Sequence, residues 1–254
     1  MTSSPSPLHD QIQRYYTTRV LQKESCCSSS SCCSTRDAHP ALPFAHLPAE
    51  EQPISFGCGD PLLIAELQPG QVVLDLGSGT GYDCFLAAKQ VGESGKVIGV
   101  DMTPQMILQA TQTAQRLGLS NVEFRLGYLE NLPLDSNSVD VIISNCVINL
   151  TPDKPQVLSE AYRVLKPGGK LAITDVICLQ PLSAELRQDL EAWAACIAGA
   201  ITKDEFSQIL AAVGFRDIQI VLSDPAPLSL NPEAERDFME NAQRVVSALI
   251  WARK

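Results

Sequence analysis

The chain has 254 residues, 45% of them hydrophobic, which is enough for one domain with a full core and a small appendage. Its formal net charge of −10 and sequence pI of about 4.8, with no basic stripe, argue against a nucleic-acid partner. No apolar run reaches membrane-spanning length and no basic-then-apolar leader opens the chain, so no membrane partner is expected and the expected compartment is the cytoplasm. In such a chain the nine cysteines are expected to act as ligands or redox groups rather than as structural disulfides.

Residues 1–53 read as a flexible N-terminal segment that opens with a Ser- and Pro-rich stretch. A short helix is expected over 9–21, with Ile12, Tyr15, Tyr16 and Val20 roughly on one face. The run Cys26-Cys27-Ser28-Ser29-Ser30-Ser31-Cys32-Cys33 follows. It fits a plain linker or a soft-metal loop, and a palmitoylated segment less well, since no basic or apolar anchor flanks it. Ile54-Ser55-Phe56-Gly57-Cys58-Gly59-Asp60-Pro61 is a glycine-flanked turn presenting a cysteine. Free cysteine is often a small buried hydrophobe, but the flanking glycines favour an exposed loop. A short helix over 61–66 leads to Pro69-Gly70.

From residue 71 strands and helices alternate regularly, the pattern of a parallel sheet covered on both faces. The apolar strand over 72–76 turns through Gly77, Gly79 and Gly81 into a helix over 83–91. Such a turn brings backbone N–H groups close to a ligand, although Tyr82 stands where a dinucleotide fingerprint would have its third glycine. The strand over 96–100 ends in Asp101, placed to accept hydrogen bonds from ribose hydroxyls. Together these features imply a nucleoside-containing cofactor. A helix over 104–117 and a strand over 121–126 come next. Gly127-Tyr128-Leu129-Glu130 then lies at the cofactor end, where an adenine could rest on Leu129; Glu130 could equally be a solvated loop carboxylate. The strand over 139–144 delivers Asn145 and Cys146 to the cleft where a second substrate would meet the cofactor. Then follow a helix over 153–165, a strand over 170–175, and a helical apolar stripe of Leu186, Leu190, Trp193 and Ile197 with Cys196 beside it. A helix over 203–213, a strand over 217–222 and a final antiparallel strand over 244–251 complete the pattern.

Leu74-Asp75-Leu76-Gly77-Ser78-Gly79-Thr80-Gly81 resembles motif I of the class I S-adenosylmethionine-dependent methyltransferases. Lys166-Pro167-Gly168-Gly169 resembles the turn those enzymes carry ahead of their fifth strand. The resemblance implies an α/β, Rossmann-like fold: a seven-stranded, mostly parallel sheet with helices on both faces and an antiparallel last strand. It also implies that Asp75, Gly77, Ser78, Gly79, Asp101, Met102, Leu129, Glu130 and Asn145 hold S-adenosylmethionine.

Around this fold stand three separated cysteines, Cys58, Cys146 and Cys196, which could converge over one cleft. Three thiolates in a pyramid suit a trivalent thiophilic ion with a lone pair, such as arsenic(III), whereas zinc would want a fourth ligand. Phe56-Gly57-Cys58-Gly59, Val100-Asp101-Met102-Thr103, Ser144-Asn145-Cys146-Val147-Ile148-Asn149-Leu150 and Trp193-Ala194-Ala195-Cys196-Ile197-Ala198-Gly199-Ala200 resemble signatures of the arsenite methyltransferases. That resemblance implies that Cys58, Cys146 and Cys196 bind arsenic and carry catalysis, with Cys32 or Cys33 as a further arsenic-binding thiol. Two departures stand out: Phe56 occupies a position often held by Tyr, and the C-terminal extension of many members is short or missing.

The expected function is methyl transfer from S-adenosylmethionine to thiolate-bound arsenic(III) in arsenic detoxification. Arsenite or its thiol conjugates would be the substrate, and glutathione or thioredoxin the reductant. No catalytic metal is expected beyond the substrate arsenic, and the protein is expected to be a monomer. The expected division is a 1–53 segment and a 54–254 methyltransferase domain, with arsenic-binding elements around 54–60 and 176–202. One rival is a methyltransferase for a small organic acceptor, weakened because His9, His39 and His46 all fall within the N-terminal segment. The other is a non-enzymatic metalloid-binding or thiol-sensing protein, which would have no need of Asp101.

Overall fold

The computed structural model describes residues 6–22, 44, 53–194, 196–222 and 245–254. Seven strands form one sheet: β1 Val72–Leu76, β2 Lys96–Asp101, β3 Val122–Leu126, β4 Val139–Asn145, β5 Leu165–Cys178, β6 Arg216–Leu222 and β7 Val245–Arg253. Their order is β3-β2-β1-β4-β5-β7-β6, and only β7 runs antiparallel to its neighbours. The chain leaves β1 outward through β2 and β3, then returns to lay β4 on the other side of β1. That reversal opens a crevice at the carboxyl ends of β1 and β4, where open α/β sheets bind ligands.

The central strands are apolar on both faces because helices cover both. On one face α3 (Tyr82–Val91) packs Ala87, Ala88 and Val91 against Val73, Val97, Val141 and Ile143. On the other, α5 (Lys154–Val164) and α7 (Lys203–Val213) pack Leu158, Val164, Phe206 and Leu210 against Ile142, Leu171 and Ile250. A capping box between Thr202 and Glu205 starts α7, and Gly214 in the left-handed conformation ends it. Among the described residues four further helices stand beside these: α1 Pro7–Gln22, α2 Leu62–Ala65, α4 Pro104–Arg116 and α6 Leu190–Ala194. No helix among the described residues is long and apolar enough to cross a membrane.

Most elements lie within a residue or two of their sequence-based ranges, and three differ for physical reasons. The turn Lys166-Pro167-Gly168-Gly169 does not precede β5 but bulges from it, since Leu165 already pairs with Val139 before Lys170 pairs with Val141. At its other end β5 runs on to Cys178, because β7 pairs with it as far as Val245. The stripe from Leu186 to Ile197 is not one helix. A 3-10 turn, Leu186–Gln188, ends at Asp189, whose Oδ1 accepts from the N–H groups of Glu191 (2.9 Å) and Ala192 (3.2 Å) and so begins α6. Cys196 therefore sits in the tight turn after α6 rather than on a helix.

Part of the segment read as a flexible extension is the helix α1, which lies against α4 and α6 and buries Ile12 and Val20. The cysteine run that includes Cys32 and Cys33 lies outside the described residues. Phe206 is fully buried between α7 and the sheet. Replacing it with alanine is expected to cost about 3–5 kcal/mol. Urea unfolding would show this as a lower midpoint at an unchanged slope.

Candidate active site

The glycine turn after β1 is built as its composition requires: Gly77, Gly79 and Gly81 all have positive φ. The N–H groups of Gly77 (2.8 Å) and Ser78 (3.1 Å) donate to the carbonyl of Val100 at the end of β2. Asp101 Oδ2 accepts from the Gly79 N–H at 2.9 Å, and its Oδ1 from the Thr103 N–H at 2.8 Å. One carboxylate thus ties the turn to the start of α4.

Between these elements lies a cavity of about 890 Å³, its open mouth included. Asp75, Gly77, Ser78, Gly79, Asp101, Met102, Leu129, Glu130 and Asn145 all line it, and so does Cys146. Its walls are acidic. Burial first, and then the neighbouring Asp83 carboxylate, push the Asp75 carboxyl well above its usual range, against a 3.2 Å hydrogen bond from the Cys84 thiol. Burial also raises Asp101, although its backbone donors pull the other way. Such walls favour a cationic ligand. The buried Ser78 Oγ has no hydrogen-bond partner among the described residues.

Helix α1 covers this cavity, so a place in the N-terminal segment does not keep a histidine from it. His9 does reach the site: its Nε2 lies 3.0 Å from Glu130 Oε1, and its ring meets Tyr128 edge-on at 5.1 Å. Gln13 Nε2 donates to the Met102 carbonyl at 2.6 Å, and Tyr16 meets the Phe56 ring edge-on at 5.8 Å. His9 and Glu130 are 121 positions apart, so no local pattern could have paired them.

The three cysteines come together on Cys146. Cys58 and Cys146 are joined as a disulfide with Cα atoms 6.0 Å apart. The Cys196 thiol donates to the Cys146 carbonyl at 3.3 Å. Cys146 and Cys196 are buried, whereas Cys58, on its loop, is half-buried. Burial, and then the Asp175 carboxylate, push the Cys196 thiol up to about 12. Among the described residues no three His, Cys, Asp or Glu side chains form a ready metal site.

A family model described as a methyltransferase domain matches residues 67–214. The arsenite methyltransferase of Aquipseudomonas alcaligenes is 42% identical over 242 residues, covering 90% of this chain and 68% of that one. The chain belongs to the arsenite methyltransferase family. Its Halobacterium salinarum relative is 45% identical over 207 residues, 81% of this chain but 52% of the relative, so the chain spans about half of that protein's length. The crystal structure of an arsenic(III) S-adenosylmethionine methyltransferase from Chlamydomonas reinhardtii superimposes with a TM-score of 0.68 at 37% identity, over 83% of this chain and 71% of that one.

In this member of the arsenite methyltransferase family, a buried charge pair missed by the sequence reading underlies the thiols. Asp175, three residues before the end of β5, accepts from the N–H groups of Val176 (2.8 Å) and Asn149 (3.2 Å). Lys154 Nζ donates to the carbonyls of Asn149 (3.3 Å) and Thr151 (3.1 Å) and lies 5.2 Å from the centre of the Trp193 ring. Burial outweighs their mutual attraction: it raises Asp175 to about 6 and lowers Lys154 to about 8. The folded state thus binds the Asp175 proton more tightly than the unfolded chain does. The stability linked to that proton is complete below about pH 4 and is lost as pH rises through about 6. Relative to Asp175→Asn, the native chain is expected to lose roughly 2–3 kcal/mol across that interval. Chemical unfolding of both proteins at several pH values would measure the difference.

Proposed function

We propose that this chain transfers a methyl group from S-adenosylmethionine to arsenic(III) bound by Cys58, Cys146 and Cys196. The observation that carries this reading is the meeting of three sulfur-bearing residues on Cys146, itself on the wall of an acidic cavity made by a methyltransferase glycine turn. The cavity suits the cofactor: its acidic walls match a sulfonium cation, the unpartnered Ser78 Oγ offers a hydrogen bond, and Asp101 stands at the end of β2. Asp75, Gly77, Ser78, Gly79, Asp101, Met102, Leu129, Glu130 and Asn145 would hold it. When bound, it supplies an electrophilic methyl group to the arsenic lone pair.

The chain's own residues do the rest. A thiol reductant, glutathione or thioredoxin, first converts the Cys58–Cys146 disulfide to two thiols and is itself oxidised to a disulfide. Each thiol then displaces one hydroxide from arsenous acid: an As–S bond forms, an As–O bond breaks, and the thiol proton leaves with the hydroxide as water. Cys196, protonated at neutral pH, carries its own proton for that exchange. With the arsenic held at three points, catalysis rests on orientation, since a lone pair needs no general base. The same reading takes 54–254 as the catalytic domain, with Cys32 or Cys33 of the 1–53 segment as a fourth thiol. It describes a monomeric, cytoplasmic detoxification enzyme with neither nucleic-acid nor membrane partners.

The His9–Glu130 pair is the one observation favouring a small organic acceptor, because it puts an acid–base couple on the cavity wall. Both atoms of that pair are engaged with each other, and no such acceptor needs three converging cysteines.

Cys146→Ser is expected to abolish methylarsenic formation while leaving cofactor affinity unchanged, read by arsenic speciation and by calorimetry. Methylated arsenic at the native rate from that variant would overturn the proposal. Asp101→Ala removes the carboxylate that anchors the glycine turn, and is expected to weaken cofactor binding about 10- to 100-fold. Calorimetric titration with S-adenosylhomocysteine would read this directly.

A further inference from the structure

Asn145 and Asn149 flank Cys146 in a single run, as β4 ends and turns into the 3-10 segment Ile148–Leu150. The Asn145 amide takes the Cys58 loop in a two-point grip: Nδ2 donates to the Gly59 carbonyl at 2.8 Å, and Oδ1 accepts from the Gly59 N–H at 3.2 Å. Thr174 Oγ1 donates to the same Oδ1 at 3.0 Å, and Nδ2 also donates to Asp83 Oδ2 at 3.0 Å, so the amide's orientation is set from two further sides. The loop closes so tightly that a Cβ on Gly57 would run into this amide.

Asn149 does the corresponding work for Cys196. It is fully buried, and its Nδ2 donates to the Val176 carbonyl and, over a longer 3.5 Å, to the Cys196 carbonyl. Its own carbonyl lies so close to the turn after Cys196 that a Cβ on Gly199 would overlap it. Its N–H is held by Asp175 and its carbonyl by Lys154. Its Oδ1 has no partner among the described residues. Packing alone does not account for such a side chain, because a leucine of similar volume would bury no open acceptor. What the amide adds is donation to the two segments that border the thiol cluster.

Cys146 and Cys196 both hold φ near +60° (57° and 61°), a conformation rare for residues with a Cβ and one that persists only where surroundings impose it. The thiols are also distant in sequence: Cys58 lies 88 positions from Cys146, and Cys196 lies 50. We infer that Asn145 and Asn149 are the positioning residues that gather the Cys58 loop and the Cys196 turn onto Cys146, making three separate thiols one chelating set. The inference rests on the arsenic reading for its purpose, but the gathering itself is testable without arsenic. Losing one arm turns three-point attachment into two-point attachment, which sharply lowers the effective concentration of the missing thiol.

The test uses the full chain, reduced and freed of reductant, with Asn149→Leu acting on the Cys196 side. Thr174→Val, a near-isosteric change that removes one of the two outer hydrogen bonds orienting the Asn145 amide, acts on the Cys58 side. Dibromobimane, which bridges two thiols only when they are close, is followed by peptide mapping. Arsenite bound per chain is measured by equilibrium dialysis, and KM is determined separately for arsenite and for cofactor. The native chain is expected to give both Cys58–Cys146 and Cys146–Cys196 bridges. Asn149→Leu is expected to lose the second and keep the first, and Thr174→Val to diminish the first and keep the second. In Asn149→Leu the KM for arsenite is expected to rise about tenfold or more while that for cofactor stays within about twofold, a split that general damage to the fold would not produce. If Asn149→Leu does not fold, as judged by its melting profile, Asn149→Ser replaces it.

Unchanged bridging and arsenite affinity in the variants would overturn the inference, as would a native chain without the Cys146–Cys196 bridge. A native chain that forms both bridges yet neither binds nor methylates arsenite, with variants that lose the bridges as described, would uphold the positioning role and remove the proposed function.

Discussion

The carboxyl end of β4 is the constraint on which the rest of the structure depends. Asn145 and Cys146 line the cavity, and the residues that follow bend at once into a 3-10 turn buried beneath α6. Because the sheet reverses its order at β1 and β4, this one strand end borders both the glycine turn and the loops that bring Cys58 and Cys196. A parallel sheet could supply the crevice with any residues here. What distinguishes this chain is the backbone at Cys146, left-handed and hydrogen-bonded from its N–H to the Thr174 carbonyl at 2.8 Å.

Charge is distributed in the same way, with buried groups placed at some cost to stability. Asp75 and Asp175 are buried and Asp101 is half-buried, and loss of solvent raises each above its ordinary range. Asp101 is offset by backbone donors from two elements, and Asp175 by donors from β5 and the 3-10 turn. Among the described residues Asp75 has only the Cys84 thiol as an offsetting donor and faces further carboxylates. On the proposed function that imbalance is relieved when a cation binds, so part of the folding cost becomes binding selectivity. On the same proposal the disulfide between Cys58 and Cys146 adds a second condition, since these sulfurs would take arsenic only after reduction.

The layout of the sheet was legible along the chain because it rests on local periodicity. Apolar runs, a three-glycine turn and Asp101 at a strand end are features of adjacent residues, and each element appears within a few residues of its expected place. The nine residues expected to hold the cofactor share one cavity for the same reason: strand ends at a reversal of order must face one another. Cys146 was legible too, being the residue right after a strand. Where two local signals competed, reading failed. The stripe through Trp193 looked like one helix, yet Asp189 restarted it and left Cys196 in a turn.

The sequence alone determined the fold class, the glycine turn and the kind of chemistry three cysteines invite, because those follow from neighbours in the chain and from side-chain type. Only the tertiary structure decided that Cys58 and Cys196 meet at Cys146, that α1 carries His9 into the cavity wall, and that Asn145 and Asn149 reach the loops on either side. Each of these contacts joins segments dozens of residues apart through one or two hydrogen bonds or a sulfur. Such contacts leave no periodic trace in composition; they come into being only when the sheet sets the distances.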